Sequence, residues 1–187
     1  MSKNKILTLV IIVLLIVNIY QFQQMNSLNK KLEDNLKVEL NSAFSVAKEI
    51  LPPDLENAIN TKQITRQEFD NIWYVSNDIL FGIDDSLTFA KHYDLDFKEY
   101  QNNSNNLAGE VKNFYREFLN NNFQDGIEIV PISDKDMEYL KVLKELSQSI
   151  GALTSTEGEA LNIEETIENI SEISIQYEEE LNKIRTS

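Results

Sequence analysis

Catalysis at neutral pH commonly draws on a histidine, a thiolate or paired carboxylates, and this chain is poor in the first two. His92 is the single histidine, and there is no cysteine among the 187 residues. The missing thiols exclude disulfides, thiolate metal sites and a cysteine nucleophile. One histidine excludes a His-rich metal site. No Glu-x-x-His pattern leads into His92, so the carboxylate di-metal motif of helical bundles fails as well. As a base for a serine nucleophile, His92 has no Gly-x-Ser-x-Gly turn to work on, and five glycines supply no phosphate-cradling loop. It reads as an ordinary surface or helix-end histidine.

Carboxylates are the abundant reactive group. Asp84-Asp85 and Asp94-Leu-Asp96 sit close enough in sequence to hold a cation or to divide acid and base roles, yet they lack the glycine-containing loop of an EF-hand. They read as solvated helix ends. From Glu145 to Asn182 the chain carries ten Glu and no Lys or Arg. Glu164, Glu165, Glu168, Glu172, Glu178 and Glu179 fall opposite an apolar row, as a solvated helix face does. Their functional reading is a docking surface for a basic protein partner, with loose binding of divalent cations as a weaker alternative. Twelve of the 17 aromatics lie between Phe69 and Phe123, where they either fill a core or line a ligand pocket. The sequence assigns no catalytic, cofactor-binding or metal-ligating residue and implies no cofactor.

The elements that would position these groups are helices. Five glycines and three prolines among many Leu, Ile, Glu and Lys favour long helices with few connections. A hydrophobic content of 42% is enough for a core despite a net charge of −14. That charge repels phosphate backbones and argues against nucleic-acid binding.

Ile6 to Val17 is apolar except for Thr8, and the run continues to Phe22. It reads as a transmembrane signal anchor over 6–22, after a short tail over 1–5 and before an acidic domain over 23–187. At about 1.5 Å per residue it spans roughly 25 Å, short for a hydrocarbon core of about 30 Å but workable if Lys5 snorkels. The bulky stretch Asn18 to Met25 offers no small-x-small cleavage site, which favours an anchor over a removed signal peptide. Lys3 and Lys5 on one side nearly balance Lys30, Lys31 and Lys37 on the other. With a short N-terminal tail, the domain is expected to lie outside the cytoplasm.

Beyond the run, Leu28, Leu32, Leu36, Leu40, Ala43, Ala47 and Ile50 recur with helical period, so the anchor helix is expected to continue until Pro52-Pro53. Asp54 is expected to cap a short helix through Ile59. Thr65 and Glu68 form a capping-box signal, with Ile64 placed to staple onto Phe69. The face that follows carries Ile72, Trp73, Ser76, Ile79, Leu80, Ile83, Leu87 and Ala90, with Gly82 marking a close contact or a kink. After the Asn-rich segment 101–106, a third helix turns Leu107, Val111, Phe114 and Phe118 inward. Ile127 to Val130 is a short piece that can pair as a strand. Ser133 caps a fourth helix with Met137, Leu140, Leu143 and Ile150 inward, closed or interrupted by Gly151. The last helix, from about Glu157, carries Ile163, Ile167, Ile170, Ser174, Tyr177, Leu181 and Ile184 at alternating four- and three-residue steps, better suited to packing in a bundle than to a free coiled coil.

The expected fold class is therefore all-α: an N-terminal transmembrane helix continuing into an antiparallel four- to five-helix bundle. The expected function is a membrane-anchored, extracytoplasmic interaction or accessory module without catalytic activity, with a homo-oligomer as an open option. Two alternatives stand beside it. One is an envelope-assembly or secretion subunit packing through its anchor helix; the other is a small-ligand sensor acting through a membrane partner.

Overall fold

The computed structural model describes residues 3–92, 104–123, 127–154 and 161–187, with side chains given from 14 to 88 and from 106 onward within those ranges. They form α1 (Lys3–Glu49), α2 (Leu51–Thr61), β1 (Gln63–Thr65), α3 (Arg66–His92), α4 (Ser104–Asn122), β2 (Ile129–Pro131), α5 (Asp134–Gly151) and α6 (Ile163–Thr186). The fold is an all-α bundle with one short β-ribbon. Two compact units are distinguished, Met1–Leu36 and Lys37–Ser187.

In the first unit the described side chains are mostly exposed, including the consecutive Leu14, Leu15, Ile16 and Val17, followed by Ile19, Tyr20 and Phe22. Gln24 Nε2 donates to Tyr20 Oη at 2.7 Å, one helical turn back. Residues 6–13 of the expected anchor lie outside the described side chains. Among the described residues, no helix is long and apolar enough to cross a membrane.

The second unit begins with the end of α1. Leu40, Phe44 and Ala47 are fully buried, whereas Ala43 is half-buried and Ile50 exposed. The expected row thus drifts by one residue onto Phe44, the position closer to a period of 3.6. Ile50 separates α1 from α2. α1 ends just ahead of Pro52 and Pro53, as expected, and the two prolines occupy the first turn of α2, where their missing N–H groups cost nothing. Asp54 lies in that turn rather than at the cap, and α2 runs to Thr61, two residues beyond Ile59.

Lys62 ends α2 in the left-handed region at φ 56° and ψ 22°, and its N–H donates to Ala58 O at 3.0 Å. The chain passes directly into β1, which pairs antiparallel with β2 through Gln63–Pro131, Ile64–Val130 and Thr65–Ile129. Ile64 and Val130 are buried beneath the ribbon. The Ile127–Val130 piece is therefore a strand in part. Its partner is the segment that also opens α3.

The broad interfaces join α3 to α4, α4 to α6, α5 to α6 and α2 to α5. Phe69, near the start of α3, meets Phe118, near the end of α4, at 4.3 Å between ring centroids, so those helices run antiparallel. Lys135 at the start of α5 reaches Arg185 O at the end of α6, which gives that pair the same sense. All seven apolar-row residues of α6, from Ile163 to Ile184, are buried, as are the four expected on α4 and the four on α5. Trp73 is only half-buried. Gly82 lies within an uninterrupted α3, and a Cβ there would rest 4.0 Å from Ala43 Cβ. Gly151 is the last residue of α5 and is held more tightly. A Cβ there would fall 2.8 Å from Lys48 Cα, so only glycine lets the two backbones approach. Four residues earlier, Ser147 Oγ donates to Ala47 O of the same α1 turn.

Candidate functional site

The acidic residues of α6 are positioned by a cap and a buried row. Asn162 accepts from Glu165 N at 3.5 Å and donates through Nδ2 to Glu165 Oε2 at 3.3 Å, capping a helix that begins at Ile163; the expected start at Glu157 lies outside the described residues. With the isoleucine row buried, Glu164, Glu165, Glu168, Glu172 and Glu179 emerge exposed, and Glu178 is half-buried. At about 100° per residue these six share an arc of roughly 140° on the side away from the row. The structure therefore brings the proposed acidic surface together on one helix. Lys183 and Arg185, in the last turn, lie beyond it.

Of the twelve aromatics, Phe69, Trp73, Phe114, Tyr115, Phe118 and Phe123 touch one another in a core, Tyr74 and Phe81 are exposed, and the side chains of Phe89, Tyr93, Phe97 and Tyr100 lie outside the described residues. Phe69 packs on Tyr115 at 5.1 Å, Phe118 at 4.3 Å and Phe123 at 6.0 Å between centroids. Trp73 stacks on Tyr115 at 4.6 Å. Tyr115 closes the cluster at the surface by donating to Asp70 Oδ1 at 2.7 Å, while Arg66 pairs with Asp70 at 3.0 Å and lies over the Phe123 ring. Burial, reinforced by the Asp70 carboxylate, pushes the Tyr115 phenol up to about 12.

At the opposite edge of that core, α4, α5 and α6 meet in a polar cluster that no local pattern announces. Arg185 Nε and Nη2 hold the Glu110 carboxylate bidentately at 2.9 and 3.0 Å, and Nη1 reaches Glu117 Oε1 at 2.9 Å. Arg185 and Glu110 are 20% and 13% exposed, so this pair is much less screened than the Glu117 contact, where the carboxylate is 52% exposed. Hydrogen bonding to Glu110 drives the guanidinium further above its already high range. Below it, the buried Tyr139 ring stacks on Phe114 at 3.7 Å, and its hydroxyl donates to Glu110 O at 3.3 Å. Burial and the nearby Glu110 charge hold that phenol well above its usual range, protonated at any physiological pH. A cavity of about 260 Å³ opens beside Arg185, between Lys135, Asp136, Glu117, Asn121 and the ring of Phe118. The arrangement fixes charges and leaves a small polar recess. Its members lie up to 75 residues apart, and a separation of seven between Glu110 and Glu117 was the sole sequence hint that both face one neighbour.

The remaining carboxylates do not assemble into a site. Asp84 is half-buried and Asp85 exposed on α3, and no group of three His, Cys, Asp or Glu suited to a metal occurs among the described residues. His92 is the last residue of α3, but its side chain, with Asp94 and Asp96, lies outside the described residues.

No family model, curated protein or solved structure matches this chain.

Proposed function

We propose that this protein is a membrane-tethered helical module, without catalytic activity, that docks a basic protein partner through the acidic face of α6 outside the cytoplasm. The observation that carries the reading is the division of α6 into a fully buried apolar row and an arc of exposed glutamates. A row already satisfied within the bundle leaves the acidic side as the surface α6 offers to others. Like charges at successive turns cost a few tenths of a kcal/mol each, and a cationic partner relieves that repulsion. The tether rests on the uninterrupted apolar run from Ile6, Thr8 apart, and on the exposure of Leu14 to Val17 at its end. Four consecutive exposed apolar residues cover every side of a helix, which suits lipid and not one protein groove.

Two measurements test the halves separately. A photo-crosslinking residue at position 175, where Ile175 is exposed within the glutamate arc, is expected to trap a distinct basic protein in living cells, and adding Glu168→Gln/Glu172→Gln/Glu179→Gln to that chain is expected to abolish the adduct without lowering the melting temperature. A ladder of self-adducts would favour the assembly-subunit reading instead. For the tether, the chain lacks cysteine, so Asn113→Cys at an exposed position of α4 gives a single label site. Labelling of intact cells by a membrane-impermeant maleimide supports an external domain; labelling only after lysis places it inside and refutes that part of the proposal.

A further inference from the structure

We infer that the cavity beside Arg185 is a binding site for a small zwitterion, specifically an α-amino acid with an apolar side chain. Unspent hydrogen-bonding capacity decides the ligand class. Arg185 has five N–H groups and uses three on Glu110 and Glu117. Lys135 has three and uses one on Arg185 O at 2.8 Å. About four cationic N–H groups thus remain to be shared between solvent and the recess. Acceptors are equally available. Glu117 Oε2 accepts nothing within the described residues, and Asp136 is engaged through Oδ2 by Ser133 Oγ at 2.5 Å, leaving Oδ1. Asn121 lines the same recess with a carboxamide that can serve either sign.

A simple anion would satisfy the cations but would meet Glu117 and Asp136 in a protein of net charge −14. A simple cation would satisfy the carboxylates but would be repelled by Arg185 and Lys135. A zwitterion answers both, its carboxylate toward Lys135 and Arg185 and its ammonium toward Glu117 and Asp136. The walls supply the third contact, because Phe114, Phe118 and Ile184 are buried hydrocarbon at the base of the same recess. At about 260 Å³ the recess falls just below the roughly 300–1,000 Å³ of pockets for drug-sized ligands, which suits a small molecule such as one amino acid. The bidentate Glu110–Arg185 pair keeps the guanidinium fixed before any ligand arrives, which limits the ordering cost of binding.

The inference is independent of the membrane tether and of the α6 docking face. It is tested by calorimetric titration of the full-length chain, purified in mild detergent, with L-leucine, L-leucine methyl ester and N-acetyl-L-leucine. Saturable binding of leucine is expected, with each blocked analogue weaker by about tenfold or more, since each loses one charged hydrogen-bonding end. Lys135→Met, at an exposed position, is expected to keep the melting temperature of the unliganded chain and to weaken leucine binding by about tenfold. Glu117→Gln should weaken the ammonium end alone, lowering affinity for leucine while leaving N-acetyl-L-leucine unchanged. The inference is overturned if leucine, valine, methionine and phenylalanine all fail to saturate, if the ester or the acetyl derivative binds as tightly as the free amino acid, or if Lys135→Met binds leucine like the parent.

Discussion

Two carboxylates hold this bundle together by different means. Glu68 ties a corner that is local in sequence: it accepts from Thr65 N and Thr65 Oγ1, both at 2.8 Å, and from Asn57 Nδ2 at 2.9 Å. Those three hydrogen bonds fasten the end of α2 and the strand β1 to the first turn of α3. Glu110 ties helices that are remote in sequence, gripping Arg185 across 75 positions while its main-chain oxygen receives Tyr139. The Thr65 bonds of the first tie form as α3 starts, and the Asn57 bond needs only the adjoining turn of α2. The second exists only when α4, α5 and α6 are all in place, so it reports the finished tertiary structure. Local and remote ties therefore differ in what their loss should do.

Removing the remote tie should have the largest effect. Arg185→Met leaves Glu110 enclosed without its cation and is expected to cost roughly 2–3 kcal/mol in chemical denaturation. A double-mutant cycle with Glu110→Gln should recover much of that loss, and strict additivity would show that the two groups do not depend on each other. Gly151→Ala probes a remote contact with no charge in it: the added methyl meets the Lys48 backbone, and a loss of about 1–3 kcal/mol is expected in the same assay. The local tie should be weaker. Thr65→Ala removes an N-terminal cap and is expected to cost about 1 kcal/mol. A larger loss than for Arg185→Met would reverse the ranking.

The smallest effect concerns acid. Hydrogen bonds from the Thr65 backbone and hydroxyl hold the Glu68 carboxyl below its ordinary range. A pKa that is lower in the folded state stabilises the fold above the unfolded value, and that stabilisation is lost as pH falls through the folded one. Stability should therefore decline on acidification below the usual carboxylate range, with a shallower decline in Glu68→Gln. Equal slopes in both proteins would remove Glu68 from the account of acid sensitivity.

This division also explains what could be read before the fold was seen. Thr65-x-x-Glu68 and Ser133-x-x-Asp136 are short-range signals, and both caps form as the residues dictate. The α6 row was legible for the same reason: a period repeated over 22 residues leaves one face for burial. The end of α1 was legible only approximately, because Ala43 and Phe44 compete for one face and the larger side chain takes it. Prolines 52 and 53 marked the boundary correctly, since a helix breaker for the preceding segment is a helix starter for the next. The glutamate arc of α6 followed from its apolar row. The Arg185 cluster had no comparable signal, because nothing local to an arginine in a last turn names a glutamate on another helix. The pairing of β1 with β2 was hidden likewise, since the Ile64-Thr65 step had already been explained as the start of α3.

Lys62 has a consequence of a different kind. It is the one non-glycine residue of positive φ among the described residues, and its carbonyl receives Ile132 N at 3.0 Å while its N–H closes α2. One residue of opposite hand thus turns a helix into a strand with no loop between them. An L-side chain resists that backbone by roughly 1 kcal/mol, and glycine does not. The corner is in effect a mirror-image position in an otherwise right-handed chain. A synthetic protein carrying a D-residue at position 62 would place its side chain there without strain, so this single stereocentre could be inverted and the corner kept.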